Sequence, residues 1–146
     1  MADILVKLVE TPSEYEAIRA VRRRVFIEEQ GVDPGIEYDE LDATAVHALA
    51  LVDGQVAGTG RLVAGESGHA RIGRMAVDAP WRRCGVGGRL LRLLEQTAAA
   101  YGYRRAVLHA QVYVQAFYLA HGYQPEGEHF WEAGIEHVTM TRDLMP

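Results

Sequence analysis

Trp81-Arg82-Arg83-Cys84-Gly85-Val86-Gly87-Gly88-Arg89-Leu90-Leu91 is the stretch that decides the fold. It follows an apolar run, Met75-Ala76-Val77, and precedes a segment with helical apolar spacing, so it reads as a strand-to-helix turn built to bind phosphate. Glycines let the backbone approach an anion closely, and the first N–H groups of a helix have no partner within it. The motif is Arg82-x-x-Gly85-x-Gly87. No Gly-Lys-Ser/Thr follows, which excludes a Walker loop. A dinucleotide fingerprint would need a third glycine where Leu90 stands, and an acid about 20 residues on, where Arg104 and Arg105 stand. The plainer alternative is a turn whose glycines serve only the close packing of strand and helix.

Outward from the turn, the pattern alternates strands and helices. Ile4 to Val9 reads as a first strand. Thr11-Pro12-Ser13-Glu14 is a capping box, opening a helix that carries Tyr15, Ile18, Val21 or Arg22, Val25 and Phe26 on one stripe and stops near Gly31. Val32 to Asp42 is acidic, contains Pro34-Gly35 and is expected to be a loop. Two runs, Ala45 to Val52 and Gln55 to Ala64, flank Asp53-Gly54, a strong hairpin signal. A strand is expected over His69 to Val77, and the helix after the turn over Gly87 to Tyr101, burying Leu90, Leu91, Leu94 and Ala98. Ala106 to Ala110 then completes a βαβ unit, which pairs parallel to the strand before it. A helix around Val114 to His121 and two final strands, or one bent one, over Phe130 to Leu144 finish the chain.

The expected class is therefore α/β, a single domain over residues 1–146 with a mixed sheet, antiparallel in its N-terminal half, and helices on both faces. Hydrophobic residues at 49% and charged ones at 24% exclude a disordered or membrane chain. The N-terminal apolar run is interrupted by Lys7 and is far shorter than the roughly 20 residues of a spanning helix. A cytoplasmic location is expected, in keeping with a single cysteine, Cys84, which cannot form an internal disulfide. A net charge of −5 argues against nucleic acid, since the lone basic triplet Arg22-Arg23-Arg24 points in three directions on a helix. The six histidines include no metal-ligand pair on one helix, so no metal is expected. A late, partly apolar strand offers an edge for a homodimer.

Three sets of residues resemble one family. They are Arg82-x-x-Gly85-x-Gly87; Gln111-Val-Tyr-Val114-Gln-Ala-Phe117-Tyr118 followed by Gly122-Tyr123; and Arg22-x-x-Val25-Phe26-x-x-Glu29-Gln30 with Leu108-His109-Ala110-Gln111 and Gly134-Ile-x-His137. In this order they resemble the GNAT-superfamily N-acetyltransferases, and the third set resembles the ElaA-type branch. Gln111 and Val114 stand where the family pattern has Asn and Ala. The resemblance implies acetyl-coenzyme A as co-substrate, lying between two central strands that splay apart. It further implies that Arg82, Arg83, Cys84, Gly85, Val86, Gly87 and Gly88 hold the pyrophosphate. Met75, Ala76 and Val77 would hold pantetheine through backbone bonds, and Gln111, Phe117 and Tyr118 would line the thioester end.

Acyl transfer to an amine then sets requirements on side chains. An alkyl ammonium leaves only about one molecule in 2,500 neutral at pH 7, so a base helps more than an acid. Backbone N–H groups near Met75 to Val77 can stabilise charge on the carbonyl oxygen. Tyr118 matches the family tyrosine that faces sulfur and is the expected acid; a core aromatic is the alternative. His109, near the C-terminal end of the parallel strand, and His47 are the candidate bases, although a histidine in an apolar strand is often structural. Asp39 and Asp42, on an acidic rim that attracts a cationic amine, join Glu29 and Gln30 as expected contacts of a small-molecule or peptide acceptor. A noncatalytic acyl-coenzyme A binding or sensing module is the rival reading, and a structural protein with a merely packed turn is the third.

Overall fold

A computed structural model describes residues 3–144. Seven strands form one sheet in the order β1-β2-β3-β4-β5-β7-β6. They are β1 (Ile4–Leu8), β2 (Val46–Val52), β3 (Gln55–Ala64), β4 (Ala70–Val77), β5 (Arg105–Gln111), β6 (Gln124–Glu132) and β7 (Ile135–Asp143). Every neighbouring pair is antiparallel except β4 with β5. Asp53 and Gly54 both take positive φ between β2 and β3, the two-residue turn whose twist suits a hairpin.

Helix α1 (Pro12–Arg22) opens on the expected capping box: Thr11 accepts from the Glu14 N–H, and Glu14 accepts from the Thr11 N–H. It continues as a wider π-helix over Arg23–Glu29, where the Gln30 N–H reaches back to the Val25 carbonyl. The acidic stretch expected to be a loop instead holds α2 (Pro34–Glu37) and a 3₁₀ turn (Glu40–Ala43). Asp33 and Asp39 cap these turns through their side chains, local bonding that a count of charges does not reveal. Helix α3 (Val86–Ala100) is the crossover between β4 and β5, and α4 (Gln115–Ala120) precedes β6. The last hairpin also starts earlier than expected, at Gln124. Its polar, exposed sequence hides the strand from an apolar-pattern reading.

The two faces of the sheet are unlike. One buries Leu90, Leu91, Leu94 and Ala98 of α3 against Ala48, Ala50, Leu62, Ile72, Leu108 and Met140. The other packs Val21, Val25 and Phe26 against Ala76, and the main contacts of α1 with the sheet fall on β2, β3 and β4. The β5 side of that face positions the site. Alternation of side chains along β5 puts Ala106, Leu108 and Ala110 in the core and turns His109 and Gln111 to the opposite face.

Candidate active site

The site begins as a failure of pairing. Parallel register between β4 and β5 extends over Ala70 with Ala106 and Arg71 with Val107 only; beyond Arg71 the strands part. A bulge accounts for the bend of β4. Thr59 pairs with Ala76 and Arg61 with Gly73, so Arg74 and Met75 together oppose Gly60. Arg74 takes a φ of 52°, a conformation that costs a non-glycine residue on the order of 1 kcal/mol. Three contacts of its guanidinium offset that cost, to the carbonyls of Ile36 and Glu37 and to Asp39 Oδ2 at 3.1–3.2 Å. Gly60 is required because a Cβ there would sit 2.6 Å from Met75 Sδ and 2.7 Å from Leu94 Cδ1.

The gap is a cleft of about 350 Å³, lined by Phe26, Gln30, Ile72 to Met75, Leu108, His109, Gln111, Val114, Tyr118, Glu132 and His137 among others. Its size suits a small molecule. Beyond it lies the N-terminus of α3. Gly85 caps the helix at a φ of 87°, with open space where a side chain would point. No side chain caps this end, and no acid stands in its first turn. The first intrahelical bond of the turn runs from the Arg89 N–H to the Gly85 carbonyl, which leaves the N–H groups of Val86, Gly87 and Gly88 for a ligand. An uncapped helix N-terminus without a carboxylate is an anion site by both hydrogen bonding and dipole.

Several expected site residues are engaged elsewhere. The Arg82 guanidinium does not face the phosphate turn as a free donor: it makes a two-pronged bond to Glu29 (2.6 and 2.7 Å) and donates through Nε to the Val77 carbonyl. Glu29, expected at the acceptor, is thus a partner of the turn, and the Arg82 bond holds its carboxyl below the usual range. Gln30 and Gln111 exchange amide hydrogen bonds at 3.0 and 3.3 Å, and Gln30 also reaches Tyr113. Gly88 owes its small size to a neighbour, whereas Gly87 has room for a Cβ. A Cβ on Gly87 would touch Phe117 at 3.4 Å, and one on Gly88 would lie 2.8 Å from His121 Nε2. Phe117 therefore packs beneath α3 rather than lining the cleft. Arg83 and Cys84 are exposed on the turn, the thiol near the Arg82 carbonyl.

The acidic rim is neutralised. Arg22, fully buried, bonds Glu37 and Asp42; Arg61 bonds Asp39 and Asp42; Arg74 reaches Glu37 and Asp39. Three arginines thus meet three carboxylates. Burial pushes the Asp42 carboxyl up, and the bonds and charges of Arg22 and Arg61 more than reverse this, leaving it below its ordinary value. Asp39 lines the cleft, but its charge is already matched. His47 lies outside the cleft, in a second depression with Tyr15, Arg19 and Tyr38. Its Nε2 meets the Asp42 carbonyl, its Nδ1 is buried without a partner, and burial pushes its pKa down. Of the two candidate histidines, only His109 is in the cleft.

Tyr118 is 8% exposed and lines the cleft. Burial pushes its hydroxyl up to about 12. Glu132 and His137 beside His109 were not singled out as site residues on sequence. The signal for Glu132 lies in hairpin register, which sets it opposite Ile135 next to the Ala133-Gly134 turn. No group of three or more His, Cys, Asp or Glu side chains among the described residues could hold a metal ion. No helix among them is long and apolar enough to cross a membrane.

Comparison with known proteins bears out the family that the sequence resembles. The Acetyltransferase (GNAT) domain family matches residues 12–144, and the chain belongs to that family of acyltransferase enzymes. The uncharacterized N-acetyltransferase YjcF of Bacillus subtilis is 36% identical over 84% of this chain and 88% of its own. An acyl-CoA N-acyltransferase from Pseudomonas aeruginosa superposes with a TM-score of 0.82 at 30% identity, over 97% of this chain and 99% of the other. Escherichia coli ElaA gives the same TM-score at 25% identity and the same coverage.

Proposed function

We propose that the chain is an acetyl-coenzyme A-dependent N-acetyltransferase that passes the acetyl group to a primary amine of a small molecule or peptide by direct attack on the thioester. The observation that carries this reading is the uncapped, acid-free N-terminus of α3 beside the mouth of the β4–β5 split. N–H groups from Gly85 to Gly88 hold the pyrophosphate. The β4 edge from Ile72 to Val77, without a strand partner on that side, bonds pantetheine as an added strand would. The P. aeruginosa relative is by name an acyl-CoA enzyme, which supports a coenzyme A thioester as donor.

The acetyl carbonyl then lies near the bulge, where backbone N–H groups of Met75 to Val77 stabilise the oxyanion. His109 takes the amine proton. The freed amine nitrogen attacks the carbonyl carbon, the C–S bond breaks, sulfur leaves with the electron pair, and the surplus proton of the nitrogen passes through solvent to the thiolate. Tyr118, protonated throughout the working pH range, donates a hydrogen bond to that sulfur. A phenol near 12 is a poorer acid than the departing thiol, near 8.5, so the hydrogen bond rather than full proton transfer is its contribution.

Two measurements test the reading. Coenzyme A at 100 times its dissociation constant stabilises a single-site protein by about 2.7 kcal/mol, readable as a rise in melting temperature. Acetyl-coenzyme A with a panel of amines, followed by thiol release and mass of the product, identifies an acceptor. Absence of both the thermal rise and the thiol release overturns the proposal.

A further inference from the structure

The cleft face of β5 presents His109 to a carboxylate that closes β6. Glu132 Oε1 lies 3.2 Å from His109 Nδ1, and Glu132 Oε2 lies 3.8 Å from His137 Nε2. His137 Nδ1 donates to the Ile135 carbonyl at 2.7 Å, which fixes its ring. Phe130 meets His109 edge-on at 5.0 Å and stacks on His137 at 5.9 Å, so both imidazoles are held by one aromatic wall. From β4, Arg71 Nη2 reaches the same His109 Nδ1 at 3.0 Å and stands 4.0 Å from Glu132 Oε1.

One nitrogen therefore has two suitors with opposite demands. Arg71 can only donate, so its bond needs a lone pair on Nδ1 and places the ring proton on Nε2. Glu132 as a carboxylate can only accept, so its bond needs the proton on Nδ1 and leaves the Nε2 lone pair free. Only the second arrangement makes Nε2 a base. The His109 bond holds the Glu132 carboxyl below the usual range, which keeps it an acceptor.

We infer that Glu132 is the positioning residue of the reaction: it holds His109 in the Nδ1–H tautomer against the pull of Arg71, so that Nε2 accepts the proton of the acceptor amine. Its catalytic consequence rests on the N-acetyltransferase reading; its effect on the ring does not. When Nε2 takes the amine proton, the imidazolium formed keeps its Nδ1–H on the carboxylate, and the Nε2 proton later passes to solvent. This is the orienting logic of a carboxylate behind a catalytic histidine.

The test separates the two levels. Nitrogen–proton correlation spectra of the uniformly labelled full chain at about pH 8.5 report the tautomer of each neutral imidazole, with His109 assigned by the signal lost in His109→Gln. The wild-type ring is expected to carry its proton on Nδ1, and Glu132→Ala to move it to Nε2 under the bond from Arg71. With the amine found in the panel, Glu132→Ala lowers kcat on the order of 10²-fold or more and leaves the KM for acetyl-coenzyme A unchanged. The double variant Glu132→Ala/Arg71→Ala recovers part of that loss, because the competing donor is gone; a merely structural glutamate predicts a further loss. Melting curves check that each variant is folded. A wild-type proton on Nε2, or a tautomer indifferent to Glu132→Ala, overturns the inference. So does a tautomer change with turnover intact. If no amine is acetylated, the spectra alone still decide the role of Glu132.

Discussion

Tyr118, one of the residues lining the cleft, sits edge-on between Phe117 and Tyr123. In the proposed reaction it gives a single hydrogen bond to the departing thiolate, so Tyr118→Phe is expected to lower kcat by roughly 10- to 100-fold and to leave the KM for acetyl-coenzyme A unchanged. Steady-state kinetics at saturating amine checks this. Asp42 is the residue where charge matters most to folding, because it serves both Arg22 and Arg61 in the interior. Asp42→Asn leaves two buried guanidinium groups short of a counter-charge and costs about 3–5 kcal/mol, readable by urea unfolding. Its conversion from expected acceptor contact to structural counter-ion illustrates what residue type alone withholds. A carboxylate in an acidic run reads as free until the arginines from α1 and β3 are placed against it.

Among the elements, those legible in the sequence were governed by local chemistry. The Thr11 capping box, the Asp53-Gly54 turn and the apolar stripe of α3 each bind residues within a turn or two of one another, and all three stand where expected. The π-helix, the β4 bulge and the polar β6 depend on contacts far along the chain: Gly60 against Leu94, Arg74 against Glu37, β6 against β7. The same distinction governs the turn before α3. Its glycine spacing is visible in sequence, yet Gly88 is shaped by His121, whose ring is fixed by the Phe117 carbonyl. Gly88→Ala forces the imidazole off α3 and costs about 1–3 kcal/mol of stability, measured by thermal unfolding. Gly85→Ala meets no neighbour; its cost is the left-handed backbone alone, about 1–2 kcal/mol.

For the molecule as a whole, buried charge makes stability depend on pH. Burial of His47 lowers its folded pKa below the ordinary 6.5, so the unfolded chain binds a proton that the folded chain refuses. Stability from this site is complete above 6.5 and declines as pH falls through the lower folded value. A second decline begins near 3.8, where Asp39 and Asp42 titrate in the unfolded chain, and completes below their lower folded values. The melting temperature is thus expected to fall in two stages on acidification, and His47→Gln to flatten the first while leaving the second. The neighbouring pair Glu29 and Gln30 has a mechanical corollary. Through Arg82 the first is fastened to the β4 bank, and through Gln111 the second is fastened to the β5 bank. A strap across a channel makes traffic through it depend on the strap, so loosening it with Gln30→Ala should hasten both arrival and departure of coenzyme A in stopped-flow measurements, at nearly constant affinity.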